Sequence, residues 1–236
     1  MTLKANALEP SGDNMCRRRK KIKQCGSTLL EFAIVFPCLV VLFFGTVGLG
    51  IMMGRYIQVE QMARDIAHMY SDGVDFTQTT PQNIVVQQLA AGTGMTANGG
   101  TGVVILSQVQ TVYQTDCTAA GVTCTNLGLP VFTQRIVIGN STLTNSVFGT
   151  PSAAILDAGG NIAPAVYLTN SDSSVRTTGF ETALDAASVS AGGSGAAPAQ
   201  PAGDSAYVVE VFIPYPDIGF LGWTTSGGAY TKFIFQ

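Results

Sequence analysis

Between Phe32 and Gly54 the chain carries no charged side chain, a run of 23 residues. As a helix this run rises about 34 Å, which spans the roughly 30 Å of hydrocarbon in a bilayer. Its centre, Leu39-Val40-Val41-Leu42-Phe43-Phe44, is too apolar for a helix with one wet face. Ahead of it stand Lys4, Arg17, Arg18, Arg19, Lys20, Lys21 and Lys23 against only Glu9 and Asp13, so the first 26 residues carry a net charge of +5. Basic residues stay on the cytoplasmic side of a span, so the N-terminus is expected in the cytoplasm and everything after Arg55 outside. A cleaved secretory signal is the competing reading. Such signals have apolar cores of about 7–15 residues and end at a small-residue site. Here the run is longer, and Thr46-Val47-Gly48 is a poor cleavage site. A lipoprotein reading of Cys38 fails on Phe36 and Pro37, which stand where small residues are needed.

The other 210 residues hold five basic side chains (Arg55, Arg64, Arg135, Arg176 and Lys232) against thirteen acidic ones, a net charge of −8. Such a body cannot displace counterions from phosphates, so nucleic acid is not an expected partner. With one histidine, His68, and no repeated His/Cys/Asp cluster, neither a metal nor a cofactor is expected. No nucleophile can be matched with a base and an orienting group, and an enzyme is not expected.

Three features of the span need explanation. Glu31 lies near its cytoplasmic end, where an ionised carboxylate facing lipid costs about 2–3 kcal/mol or more. It either snorkels to the interface or meets a cation in the membrane. Pro37 removes a helix hydrogen bond and predicts a kink. Gly50 and Gly54, with Gly45 and Gly48 nearby, form a small-residue surface on which another helix can pack.

The segment Cys25-Gly26-Ser27-Thr28-Leu29-Leu30-Glu31-Phe32-Ala33-Ile34-Val35-Phe36-Pro37 resembles the start of a TadE/TadF-like minor pseudopilin of the tight-adherence (Flp-type) type IV pilus system. That family's pattern is a basic leader, a glycine, four residues, a glutamate followed by an aromatic, and an apolar helix with an early proline. Gly26, Glu31, Phe32 and Pro37 occupy those places. The similarity extends through Leu39, Leu42 and Gly45 to Met62-Ala63-Arg64-Asp65-Ile66-Ala67. Leu49 stands before Gly50 where many relatives carry an acidic residue. The resemblance implies that a membrane-embedded prepilin peptidase cuts between Gly26 and Ser27. Glu31 then becomes the fifth mature residue and neutralises the N-terminal ammonium of an adjacent subunit, setting registry together with Phe32. It also implies as partners the major pilin, other minor pseudopilins, an inner-membrane assembly platform and membrane lipid. The implied location is the bacterial inner membrane in a single pass, with the C-terminal domain periplasmic, or extracellular once in a pilus. Cys16 and Cys25 have no role in this reading.

Past the bilayer the helical pattern continues. Val59, Met62, Ala63, Ile66 and Met69 make one apolar stripe, and Glu60 and Arg64 form an i,i+4 pair. His68 falls off the stripe as a solvated residue, and the helix is expected to stop near Ser71-Asp72-Gly73. Thr80-Pro81 predicts the N-cap and first position of a short helix ending at Gly92. The glycine-rich stretch from Gly92 to Gly102 reads as a flexible loop, because no Gly-Lys-Ser/Thr follows it. Strands are expected over Val103–Tyr113, Val131–Ile138, Ala165–Leu168, Tyr207–Pro214 and Tyr230–Phe235. In Tyr207–Pro214, Tyr207, Val209, Val211 and Ile213 share a face. Thr178 with Glu181 predicts a capping box opening a helix that carries Phe180 and Leu184 inward. Cys117 and Cys124, in an exported segment without a further ligand nearby, predict a disulfide rather than a zinc site. Residues 190–204 read as a flexible loop, and the aromatic stretch from Ile213 to Trp223 as a turn between strands, the alternative being a contact surface for another subunit or a ligand.

The expected architecture is α+β. A long N-terminal transmembrane helix with an amphipathic extension precedes an exported domain of mixed helices and strands with a mainly antiparallel sheet. The expected divisions are a basic leader (1–26), the transmembrane helix (27–54), a helical stem (55–72) and the exported domain (73–236). The expected function is that of a minor pilin subunit. The alternative is an uncleaved, signal-anchored envelope protein whose domain binds a ligand or mediates adhesion.

Overall fold

The computed structural model describes residues 13–181, 183, 205–215 and 227–235, with side chains from residue 29 onward. The proposed loop 190–204, Leu184, Trp223 and the side chains of Cys16, Cys25 and Ser27 lie outside that description. The chain divides into two compact units, Met1–Ile51 and Met52–Gln236.

A single helix, α1 (Asp13–Ser71), contains the apolar run and the stem, with Pro37 inside it. It stops where the sequence predicts. Gly73 adopts a positive φ of 82°, which lets the Val74 N–H turn back to the Met69 carbonyl (3.0 Å).

In the second unit α1 gives way to α2 (Thr79–Ile84), which widens into a π-type turn over Val85–Leu89. The helix begins two residues earlier than Thr80-Pro81 predicts, with Gln78 before its first residue. A small hairpin follows, β1 (Met95–Thr96) with β2 (Gly99–Gly100). The glycine-rich stretch is therefore built structure, contrary to the flexible loop expected. A Cβ on Gly100, at φ +82°, would lie 2.3 Å from the Gly94 carbonyl oxygen. Glycine here allows two strands to meet at close range.

The main sheet consists of β3 (Val103–Thr111), β4 (Pro130–Gly139), β5 (Ser205–Pro214) and β6 (Gly228–Phe235). Their order across the sheet is β4-β3-β5-β6, antiparallel throughout. Val104 pairs with both Ile138 and Val211, and Leu106 with Ile136 and Val209, so these six share one face. Against that face lie Val59, Met62, Ala63, Ile66, Ala67 and Tyr70 of α1, all buried. Ala63 and Ala67 leave no side-chain bulk between helix and sheet, and each larger side chain contributes about 1.5–3 kcal/mol by burial. The Tyr70 hydroxyl closes the seam by donating to Gln134 Oε1 at 2.9 Å. Burial raises its pKa well above the usual tyrosine range. His68 is exposed, as expected, with its ring 5.1 Å from that of Phe235, and Arg64 pairs with Glu60 at 3.3 Å.

The second face of the sheet is also covered. The β3–β4 and β4–β5 connections fold back over it and bury Phe132, Phe148, Ile162, Leu168, Val175 and Phe180 with Val109 and Val208. One expected strand here is a helix: Ala165–Leu168 falls on α4 (Pro164–Tyr167), with Pro164 at its start. The ring of Pro164 presets a helical φ at that position, and four apolar residues carry too little pattern to distinguish strand from helix. The helix predicted to open at Thr178 has its first helical residue at Phe180, which is buried as expected.

The predicted disulfide is present. Cys117 lies on α3 (Gln114–Ala120) and bonds Cys124 with a Cα–Cα distance of 5.7 Å. Gly121, at φ 66°, ends α3 and returns the chain for this closure. Peptide mapping without reductant is expected to recover the two cysteines in one linked fragment. Reduction is expected to lower unfolding stability by no more than about 2.5 kcal/mol, the loop-closure limit for so short a loop. Free thiols at both positions in the native protein contradict the assignment.

Candidate assembly segment and a buried polar node

The first candidate site is the surface of α1 itself. Leu29–Ser71 is one helix long and apolar enough to cross a membrane, and its apolar stretch is unburied. Leu29 is 72% and Phe32 62% exposed, and side chains as far as Ile57 continue the pattern. Glu31 is exposed on the same helix. Phe32 stacks with Phe36 one turn on, ring centroids 5.4 Å apart. Cβ atoms placed on Gly45, Gly50 or Gly54 meet nothing within 4 Å. The four-residue spacing of Gly50 and Gly54 puts both on one side of the helix, where the bare backbone is open to close approach. Thr46 donates to the Phe43 carbonyl at 2.9 Å, so its hydroxyl is satisfied within the helix. Pro37 is accommodated in α1, which runs through it. Gly26 and Ser27 also fall within α1. Cys38 is an exposed free thiol.

The second candidate is only faintly marked in the sequence. Glu210, on β5, is 1% exposed on the face opposite α1. It accepts hydrogen bonds from the Ser146 hydroxyl, the Val147 N–H (2.9 Å) and the Tyr230 hydroxyl (2.6 Å). On the same face, buried Arg135 donates to the Ser107 hydroxyl and to the Gly149 carbonyl (2.9 Å), with its guanidinium 5.3 Å from the centre of the Phe132 ring. Lys232, paired across strands with Glu210, places its ammonium 4.9 Å from the centre of the Phe148 ring. Desolvation lowers the Arg135 pKa to about 10, with Glu210 opposing the shift, so Arg135 stays charged at neutral pH. Burial, then the bond to Glu210, holds the Tyr230 hydroxyl far above its usual range and protonated.

This arrangement is suited to holding a segment in place. Three donors engage the Glu210 carboxylate, and the two residues Ser146 and Val147 supply two of them. Glu210 and Arg135 thereby fasten Ser146 to Gly149 onto the sheet from two points. The sequence signal was present but weak: Ala206 and Val208 alternate with Glu210, and their apolar character marks a covered face. Among the described residues no group of three His, Cys, Asp or Glu side chains comes together to hold a metal.

Comparison with known proteins bears on the first site. Residues 26–68 match the family described as TadE-like protein. Over that stretch the chain is similar to TadE-like proteins, which supports a minor-pilin-type role associated with the tight-adherence pilus system. The match begins at Gly26 and ends at His68, so it takes in the apolar helix and most of the stem and leaves the sheet outside. No curated protein and no solved structure matches the chain.

The polar node makes a measurable demand on the fold. Glu210→Ala leaves Ser146, Val147 and Tyr230 without their acceptor and is expected to destabilise the domain by about 2–4 kcal/mol in thermal or denaturant unfolding. Glu210→Gln keeps an acceptor oxygen and is expected to cost less. Equal stability of Glu210→Ala and wild type contradicts the arrangement.

Proposed function

We propose that the protein is a minor pilin subunit of a tight-adherence pilus, made as a precursor and cut between Gly26 and Ser27 by a prepilin peptidase. The observation that carries this reading is the TadE-like match, whose first residue is Gly26. A glycine before the scissile bond brings no Cβ into a tight protease site. The basic leader holds that bond at the cytoplasmic face. The mature chain starts at Ser27 and keeps the 210 residues from there to Gln236, with its folded domain on the periplasmic side of the inner membrane.

After the cut, Glu31 lies four residues from a new ammonium group. An ionised carboxylate facing lipid at that depth is costly. A second subunit displaced along the bundle axis offers its own Ser27 ammonium as the partner, so the pair forms only in register. Phe32, beside Glu31, packs in the same bundle, and Gly45, Gly50 and Gly54 give neighbouring helices a close approach. Extraction of α1 from lipid into such a bundle exchanges one apolar surrounding for another, which the all-round apolar surface of the helix permits.

Intact mass and N-terminal sequencing of the membrane-purified protein are expected to give a 210-residue chain beginning at Ser27. Gly26→Ala is expected to accumulate the 236-residue precursor. Glu31→Ala is expected to be cut normally yet lost from pilus assembly. A Gly26→Ala protein of wild-type size, or a different mature N-terminus, defeats the reading. An uncut wild-type protein whose Glu31→Ala variant leaves pili unchanged is instead a signal-anchored binding module.

A further inference from the structure

On the side of α1 left uncovered by the sheet, the side chains change character within about one turn. Met53, Tyr56 and Ile57 are 70%, 46% and 50% exposed. Gln61, Arg64, Asp65 and His68 take over as the exposed residues of the following turns. Exposed apolar side chains that continue a membrane-length apolar helix have lipid as their cover, and tyrosine at such a boundary favours the headgroup level. The bilayer surface therefore falls between Ile57 and Gln61, a rise of about 6 Å.

On the covered side, the folded domain has already begun at that height. Arg55 Nη2 donates to the Gly92 carbonyl at 3.0 Å, and Gln58 Nε2 donates to the Ala91 carbonyl at 3.0 Å. Arg55 Nη1 also donates to Gln58 Oε1 at 3.0 Å, so the two side chains grip the turn together. Arg55 precedes Ile57 by two residues. Gln58 follows it by one, so the turn after α2 sits about level with the last lipid-covered side chain. Its exposed residues, Ala91, Gly92 and Gly94, are small and uncharged. No charged residue occurs between Asp75 and Asp116, although the chain beyond the leader is strongly acidic. The segment between these two residues presents no carboxylate for an anionic lipid surface to repel, and Glu60, at the height of that surface, is paired with Arg64 at 3.3 Å.

We propose that the turn Ala91–Gly94 lies in the lipid headgroup layer, so that the domain rests directly on the bilayer with no spacer after the span. The proposal rests on α1 being a retained membrane span. Its partner is a lipid surface, and its contact is made by backbone and small side chains beside Arg55.

The test uses the full chain, with Cys16, Cys25 and Cys38 replaced by serine, in phosphatidylethanolamine/phosphatidylglycerol vesicles. Single labelling sites are introduced as Leu42→Cys, Ala91→Cys and Asp72→Cys and coupled to an environment-sensitive fluorophore. Asp72 is exposed and stands 17 residues beyond Arg55, about 25 Å further along the helix direction. A retained Cys117–Cys124 bridge verifies folding of each variant. The label at 91 is expected to be quenched several-fold more by nitroxide on lipid headgroups than the label at 72, and to be shielded from aqueous iodide. The label at 42 is expected to respond to nitroxide within the acyl chains. A label at 91 as open to iodide as that at 72, with 42 embedded in lipid, overturns this proposal alone. A label at 42 that reports water overturns the membrane-span reading and this proposal with it.

Discussion

The seam between the stem of α1 and the four-stranded sheet is the contact on which the rest of the domain depends. Val59, Met62, Ala63, Ile66, Ala67 and Tyr70 supply one side of it, and Val104, Leu106, Ile136, Ile138, Val209 and Val211 the other. Without the helix, much of one face of β3, β4 and β5 would meet water. Without the sheet, the stem would keep an apolar stripe and no partner. The same helix therefore answers to two surroundings. It carries no charge from Phe32 to Gly54 and is apolar on one side only from Val59 onward, and the change fixes where the folded domain can begin.

Much of this was legible because it rests on periodicity. The stripe from Val59 to Ile66 and the shared face of Val209, Val211 and Ile213 are written at spacings that only one geometry satisfies, and the four strands of the main sheet lie within about two residues of their expected ends. The failures came where pattern gives way to context. Ala165 to Leu168 is too short for its spacing to choose between helix and strand, and Pro164 decides it. Gly92 to Gly102 has a composition shared by loose linkers and tight hairpins. Only the close approach of Gly94 and Gly100 shows which it is. For the assembly segment, Gly26, Glu31, Phe32 and Pro37 were found by their order in the chain, whereas Arg55 and Gln58 became significant only once the turn at Ala91 and Gly92 was placed against them.

Glu210 is the clearest instance of information that a local window barely carries. An acidic residue in an alternating strand reads as an outward, solvated side chain. Here the outward face is roofed by the long β3–β4 and β4–β5 connections, and the carboxylate ends up among donors drawn from residues 146, 147 and 230. The charge of Arg135 is likewise held by neutral partners, Ser107 and the Gly149 carbonyl. Both charges anchor the roof to the sheet from beneath, so the connections need little secondary structure of their own to stay in place.

The attachments of the stem also have a mechanical consequence. Arg55 and Gln58 grip the turn after α2, the apolar seam follows, and Tyr70 closes it on Gln134, so the fastenings are strung out along the helix axis. A load applied lengthwise through α1 is shared among all of them at once, as shear. A load across the axis would reach them one after another, as peeling. A helix attached in this way resists being drawn along its length far better than being levered sideways.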